Sequence, residues 1–124
     1  IPARDREVNA VTVNALQRVS TVVTQRSLVE AFGLTVAEAM WKKAPVVASA
    51  VGGIRDQVED GLTGCLVDPG DGAAWASAVS SLLLFPERAS EMGQAAHESV
   101  RRSFLPDRHM LQLIDVLAQA IDIA

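Results

Sequence analysis

The chain has 124 residues, is 49% hydrophobic and 21% charged, and carries a net charge of −4 with a pI near 5.0. That is enough apolar material for one domain with a modest core. Its acidic balance, with basic residues adjacent only at Lys42-Lys43 and Arg101-Arg102, excludes the basic stripe a nucleic-acid partner requires. The single cysteine, Cys65, cannot make an internal disulfide, which fits a reducing cytoplasm. The uncharged stretch from Ala73 to Phe85 falls short of the ~18 residues of a membrane span. The start at Ile1-Pro2, without an initiator Met or a signal pattern, reads as a cut within a larger protein.

From Asp5 as N-cap, Val8, Val11, Ala15, Leu16 and Val19 recur at helical spacing and predict a first helix with that stripe on one face, left open where its covering partner is missing. The β-branched run Thr21 to Thr24 predicts a strand, and Ser27 to Gly33 a loop. Helix is expected from Leu34 through Trp41, ending before Pro45, which disfavours helix at Ala44. A buried strand Pro45 to Ser49, one or two helical turns within Ile54 to Glu59, and a strand Gly64 to Val67 follow, separated by Gly52-Gly53 and Asp60-Gly61. After the turn Asp68 to Gly72, Trp75, Val79, Leu82 and Leu83 form one amphipathic stripe, and Ala89, Met92, Ala96, Val100 and Phe104 a second. A last helix after Pro106 places Met110, Leu113, Ile114, Leu117 and Ile121 on one side. Short apolar strands alternating with helices predict an α/β fold, a parallel sheet covered on both faces. Three strands make only part of a doubly wound sheet of about five or six.

In an open sheet of this kind ligands bind at the carboxyl ends of the strands, where loops enter helix N-termini. The segment after Thr24 is such a place. It reads Ser27-Leu-Val-Glu30-Ala-Phe32-Gly33-Leu34-Thr35-Val-Ala-Glu38. Gly33 permits close backbone approach, and the amides from Leu34 onward offer N–H groups and the positive helix end to a phosphate. Glu38, one turn further in, can reach a vicinal diol. Both Ser27-x-x-Glu30 and Thr35-x-x-Glu38 also match a capping box, in which the Glu bonds a backbone N–H.

The wider pattern combines Glu30-x7-Glu38 around Phe32-Gly33-Leu34 with Ala39-Met40, Pro45-Val46-Val47, Gly52-Gly53, Asp60-Gly61-x-Thr63-Gly64 and Leu66-Val67. In this order it resembles the retaining glycosyltransferases of the GT4 type over residues 20–105. The run Glu30 to Lys42, with Ala50-Val51-Gly52-Gly53-Ile54 and His109-Met110, is similar to the trehalose-forming glycosyltransferases. This resemblance implies the C-terminal, Rossmann-like half of a two-domain GT-B enzyme. Such an enzyme transfers glucose from UDP- or ADP-glucose to a sugar acceptor such as glucose, with retention and without an essential metal or other cofactor. It further implies that Glu30 bonds the donor sugar and supports an oxocarbenium-like transition state, that Phe32, Gly33, Leu34 and Thr35 face sugar and diphosphate, and that Glu38 binds the ribose hydroxyls.

The Arg/Lys clamp on the diphosphate and the acceptor-binding N-terminal domain are expected upstream of this chain, and neither Lys42 nor Lys43, near a helix end, replaces the clamp. The isolated chain is therefore expected not to turn over, and to self-associate through an open strand edge or its first helix. Two alternatives stay open: a GT-B-type sugar-nucleotide epimerase, and a non-catalytic nucleotide-sugar-binding or assembly module. His97 and His109, twelve residues apart, lack metal-ligand company; Ser49, Ser77 and Ser99 lack a nucleophile-elbow context; Cys65 lacks a base. Trp41 and His109 read as structural residues, and Gly52-Gly53 as a left-handed turn at a strand end.

Overall fold

The computed structural model describes residues 6–103. Their order is α1 (Arg6–Val19), β1 (Val23–Gln25), α2 (Leu34–Trp41), β2 (Val46–Ser49), α3 (Ile54–Gln57), β3 (Cys65–Val67), α4 (Gly72–Leu84) and α5 (Pro86–Ser103). The strands form one parallel sheet in the order β1-β2-β3, with Val23 opposite Val46 and Val47 opposite Cys65. The expected helix after Pro106, together with Asp5, Phe104 and His109, lies outside the described residues.

Every residue of β2 is buried, because it is the central strand and is covered on both faces. Alternation along it sends Val46 and Ala48 to one layer and Val47 to the other. The first layer adds Val36, Ala39 and Met40 of α2, Ile54 of α3, and Ala96 and Val100 of α5. The second adds Val67 of β3, Trp75 and Leu82 of α4, and Ala89 and Met92 of α5. Thus α5 seals both layers, its first half on one and its second half on the other. Met40, Ile54 and Leu82 are fully buried, and truncating any of them to Ala costs about 2–5 kcal/mol.

The apolar stripe of α1 is open, and two other expectations need correction. The stripe faces away from the described body: Val8, Val11, Leu16 and Val19 are 54–79% exposed, while Gln17 is buried. The surface α1 meets is polar, with Gln17 donating to the Thr35 carbonyl at 3.4 Å and accepting from Lys42 Nζ. In α4, Leu83 is exposed, since it is turned by about 100° from the buried Leu82. And β1 starts two residues after Thr21, where the Val23 N–H reaches the Pro45 carbonyl at 2.8 Å and pairing with β2 begins.

Helix α2 ends where the sequence places its stop. Lys43 takes φ 62°, the left-handed conformation that terminates many helices. There α5 crosses so closely that a Cβ on Gly93 would lie 2.1 Å from the Lys43 carbonyl oxygen.

Candidate functional site

At the carboxyl end of the sheet, the loops after β1, β2 and β3 converge. The β1 loop is anchored at its start: the Ser27 N–H donates to Oγ of the fully buried Ser49, at the end of β2, over 2.8 Å. Gln25 Nε2 donates to Ser27 Oγ at 2.9 Å, and that hydroxyl lies 3.5 Å from Glu30 Oε2. Arg26 donates twice to the Pro69 carbonyl in the β3 loop, at 3.1 and 2.9 Å. Neither Ser49 nor Arg26 was marked by the sequence pattern, although a serine closing a buried strand is a signal of this kind of anchoring.

The glycine pair is responsible for the next part of the geometry. Gly52 has φ 47°, the turn conformation expected of it. Beyond that, a Cβ on Gly52 would stand 1.8 Å from the Glu30 carbonyl oxygen, and one on Gly53 would stand 2.1 Å from that of Ala31. The Gly53 N–H donates to the Glu30 carbonyl at 3.2 Å. The β2 loop therefore lies directly against the main chain of the Glu30 loop, which only hydrogen side chains allow.

Helix α2 begins at Gly33, its N-cap, with φ 79° and ψ 56° and no side-chain cap. This excludes the capping-box reading of Thr35 and Glu38, because Thr35 already lies inside the helix; no helix starts at Ser27 either. The N–H groups of Val36 and Ala37 both use the Gly33 carbonyl, at 3.0 and 3.2 Å, whereas those of Leu34 and Thr35 have no acceptor among the described residues. Two free amides, strengthened by the helix dipole, are what an anionic phosphate needs. Glu38 is half-buried and lines a cleft of about 530 Å³ between α1 and α2, with Asn14, Thr35 and Lys42. Phe32 and Leu34 are exposed at the rim, and Leu28 and Val29 more so. All six residues marked by the sequence, Glu30, Phe32, Gly33, Leu34, Thr35 and Glu38, thus belong to one turn and the first five residues of one helix.

The remaining candidates are structural. The Trp41 ring stacks on His97, with centroids 4.5 Å apart, and His97 Nδ1 approaches the Trp41 carbonyl. Burial pushes the Cys65 thiol above its ordinary pKa, with Asp60 acting in the same direction, so little reactive thiolate forms at neutral pH. No group of three His, Cys, Asp or Glu is placed to hold a metal among the described residues.

The sequence profile of the family Glycosyl transferases group 1 matches residues 7–99, a span that includes both carboxylates, the glycine pair and all three strands. The chain belongs to this family. Among its curated relatives, trehalose synthase from Pyrococcus horikoshii is 49% identical over 110 residues, which are 89% of this chain and 26% of the relative. The chain therefore spans about a quarter of the length of such relatives. Sucrose-phosphate synthase from Thermosynechococcus elongatus superposes with a TM-score of 0.83 at 34% identity, over 100% of this chain and 30% of that one. HepE from Anabaena, solved in complex with UDP-glucose, gives a TM-score of 0.78 at 26% identity over 86% of this chain and 30% of its own. The three-stranded parallel sheet and its helices match the Rossmann-like domains of GT-B glycosyltransferases. No helix among the described residues of this glycosyltransferase segment is long and apolar enough to cross a membrane.

Proposed function

We propose that the segment is the donor-binding half of the C-terminal domain of a retaining glycosyltransferase that moves glucose from UDP- or ADP-glucose to a sugar acceptor, with glucose as acceptor and trehalose as product. The observation that carries this reading is the N-terminus of α2, whose Leu34 and Thr35 amides, between the Glu30 turn and Glu38, have no acceptor among the described residues. Relatives named trehalose synthase support the product, and a neighbour solved with UDP-glucose supports the donor class.

In this reading the α2 amides receive the diphosphate as negative charge builds on it. Glu38 accepts from the paired ribose hydroxyls. Glu30 accepts from the sugar hydroxyls, and its charge favours the positive anomeric centre of the transition state more than the ground state. The acceptor-binding domain and the basic clamp on the diphosphate belong to the rest of the enzyme.

A donor and acceptor panel on the intact enzyme, read first as trehalose formation from glucose, tests the substrates. Transfer from UDP- or ADP-glucose to another acceptor would overturn the trehalose assignment alone. Glu30→Gln tests the chemistry: kcat falls ~100-fold, by analogy with loss of one transition-state contact, while the donor KM changes far less. Unchanged turnover removes Glu30 from the catalytic group.

A further inference from the structure

Gln57, the last residue of α3, is 3% exposed, and neither its side-chain nitrogen nor its oxygen has a hydrogen-bond partner among the described residues. A buried carboxamide left so is destabilising, whereas an apolar side chain of the same shape at that site is not. Packing therefore does not account for a glutamine here. Its surroundings do. A point one Cβ bond from Gly33 lies 3.6 Å from Gln57 Nε2 and 3.5 Å from Glu30 Cγ, so the amide sits beneath the turn that joins Glu30 to α2. The Glu30 carboxylate has a long 3.5 Å contact with the Ser27 hydroxyl and ample remaining acceptor capacity. The Gly53 N–H, just ahead of α3, already ties that helix to the Glu30 carbonyl.

Resting on the donor-site reading above, we propose that Gln57 is a positioning residue for Glu30: its Nε2–H donates to the Glu30 carboxylate when a nucleotide sugar fills the site, aiming that carboxylate at the sugar hydroxyls. An amide suits this task because it is neutral. A lysine or arginine would hold the carboxylate equally well but would cancel the negative charge that the anomeric centre requires. Gln57 touches no reacting atom; it acts through Glu30.

The test is Gln57→Met in the intact enzyme, with whichever of UDP-glucose and ADP-glucose supports turnover. Methionine keeps the volume and removes the donor. The thermal midpoint stays level or rises, kcat falls ~10-fold, and the donor KM stays within about twofold, since misaimed groups damage the transition state more than binding. In the ¹⁵N-labelled enzyme the Gln57 side-chain NH2 resonances shift on adding that donor, and Glu30→Ala abolishes the shift. Unchanged kcat in Gln57→Met, an unmoved NH2 signal, or a kcat loss that tracks a fallen thermal midpoint would each overturn the assignment. Normal turnover in Glu30→Gln would remove the catalytic role of Glu30 on which this proposal rests, whereas an impaired Glu30→Gln beside an unimpaired Gln57→Met would overturn the role of Gln57 alone.

Discussion

The two ends of α2, an eight-residue helix, are treated in opposite ways by the fold. At the carboxyl end everything is used: the Lys42 N–H bonds the Glu38 and Ala39 carbonyls, the Lys43 N–H that of Met40, and the Ala44 N–H that of Ala39, all within 3.2 Å. His97 meets the Trp41 carbonyl, and Lys42 Nζ is held by Gln17. At the amino end there is no side-chain cap, two amides have no acceptor among the described residues, and a glycine replaces the usual Ser, Thr, Asp or Asn. Unmet hydrogen-bonding capacity is thus concentrated where the carboxylates stand. In the proposed reading one end of the helix serves the protein and the other a ligand.

The largest effect is expected from breaking the protein end. Gly93→Ala puts a methyl group 2.1 Å from the Lys43 carbonyl oxygen, and both partners are main chain, so one helix must shift. Overpacking of this kind costs ~1–3 kcal/mol or more, visible as a lower thermal midpoint of the intact enzyme. The donor KM of the folded fraction stays normal. An equal loss of donor affinity would show that the two ends are not separable.

Next comes the ligand end. Glu38→Ala raises the donor KM by at least ~10-fold, the loss of charge-assisted hydrogen bonds worth about 1.5–3 kcal/mol. Because Glu38 takes part in no cap, the thermal midpoint does not move. A lowered midpoint with a normal KM would return Glu38 to a purely structural role. The smallest effect sharpens the protein end again: Lys43→Gly relieves a left-handed non-glycine residue at φ 62° and raises stability by ~0.5–1 kcal/mol without touching kinetics. No gain would mean that the Lys43 side chain itself contributes to the helix end.

Much of this was legible in the chain. Pro45 marked the end of α2, Gly52-Gly53 and Asp60-Gly61 separated the strands, and the stripe Ala89, Met92, Ala96 and Val100 marked the buried side of α5. The two glutamates and Gly33 marked the candidate site at the amino end of α2. Three features were not legible, each for a physical reason. An amphipathic stripe says which face of α1 is apolar but not what that face meets. The contact of Gly52 and Gly53 with the Glu30 main chain depends on the relative height of two loops more than twenty residues apart. Gln57, between Asp56 and Val58, carries the composition of a surface turn, and only the packed structure buries it.

The interlocked glycine loops have a consequence for anyone wishing to redesign this site. Positions 33, 52 and 53 form a closed part of sequence space, because any side chain there collides with neighbouring atoms and displaces the turn that carries Glu30. Leu28 and Val29, in the same loop, are 80% and 89% exposed and free to vary. A combinatorial library at those two positions can therefore explore new rim shapes while the turn that carries Glu30 is inherited unchanged, which makes them, in the proposed reading, the economical starting point for evolving altered sugar selectivity.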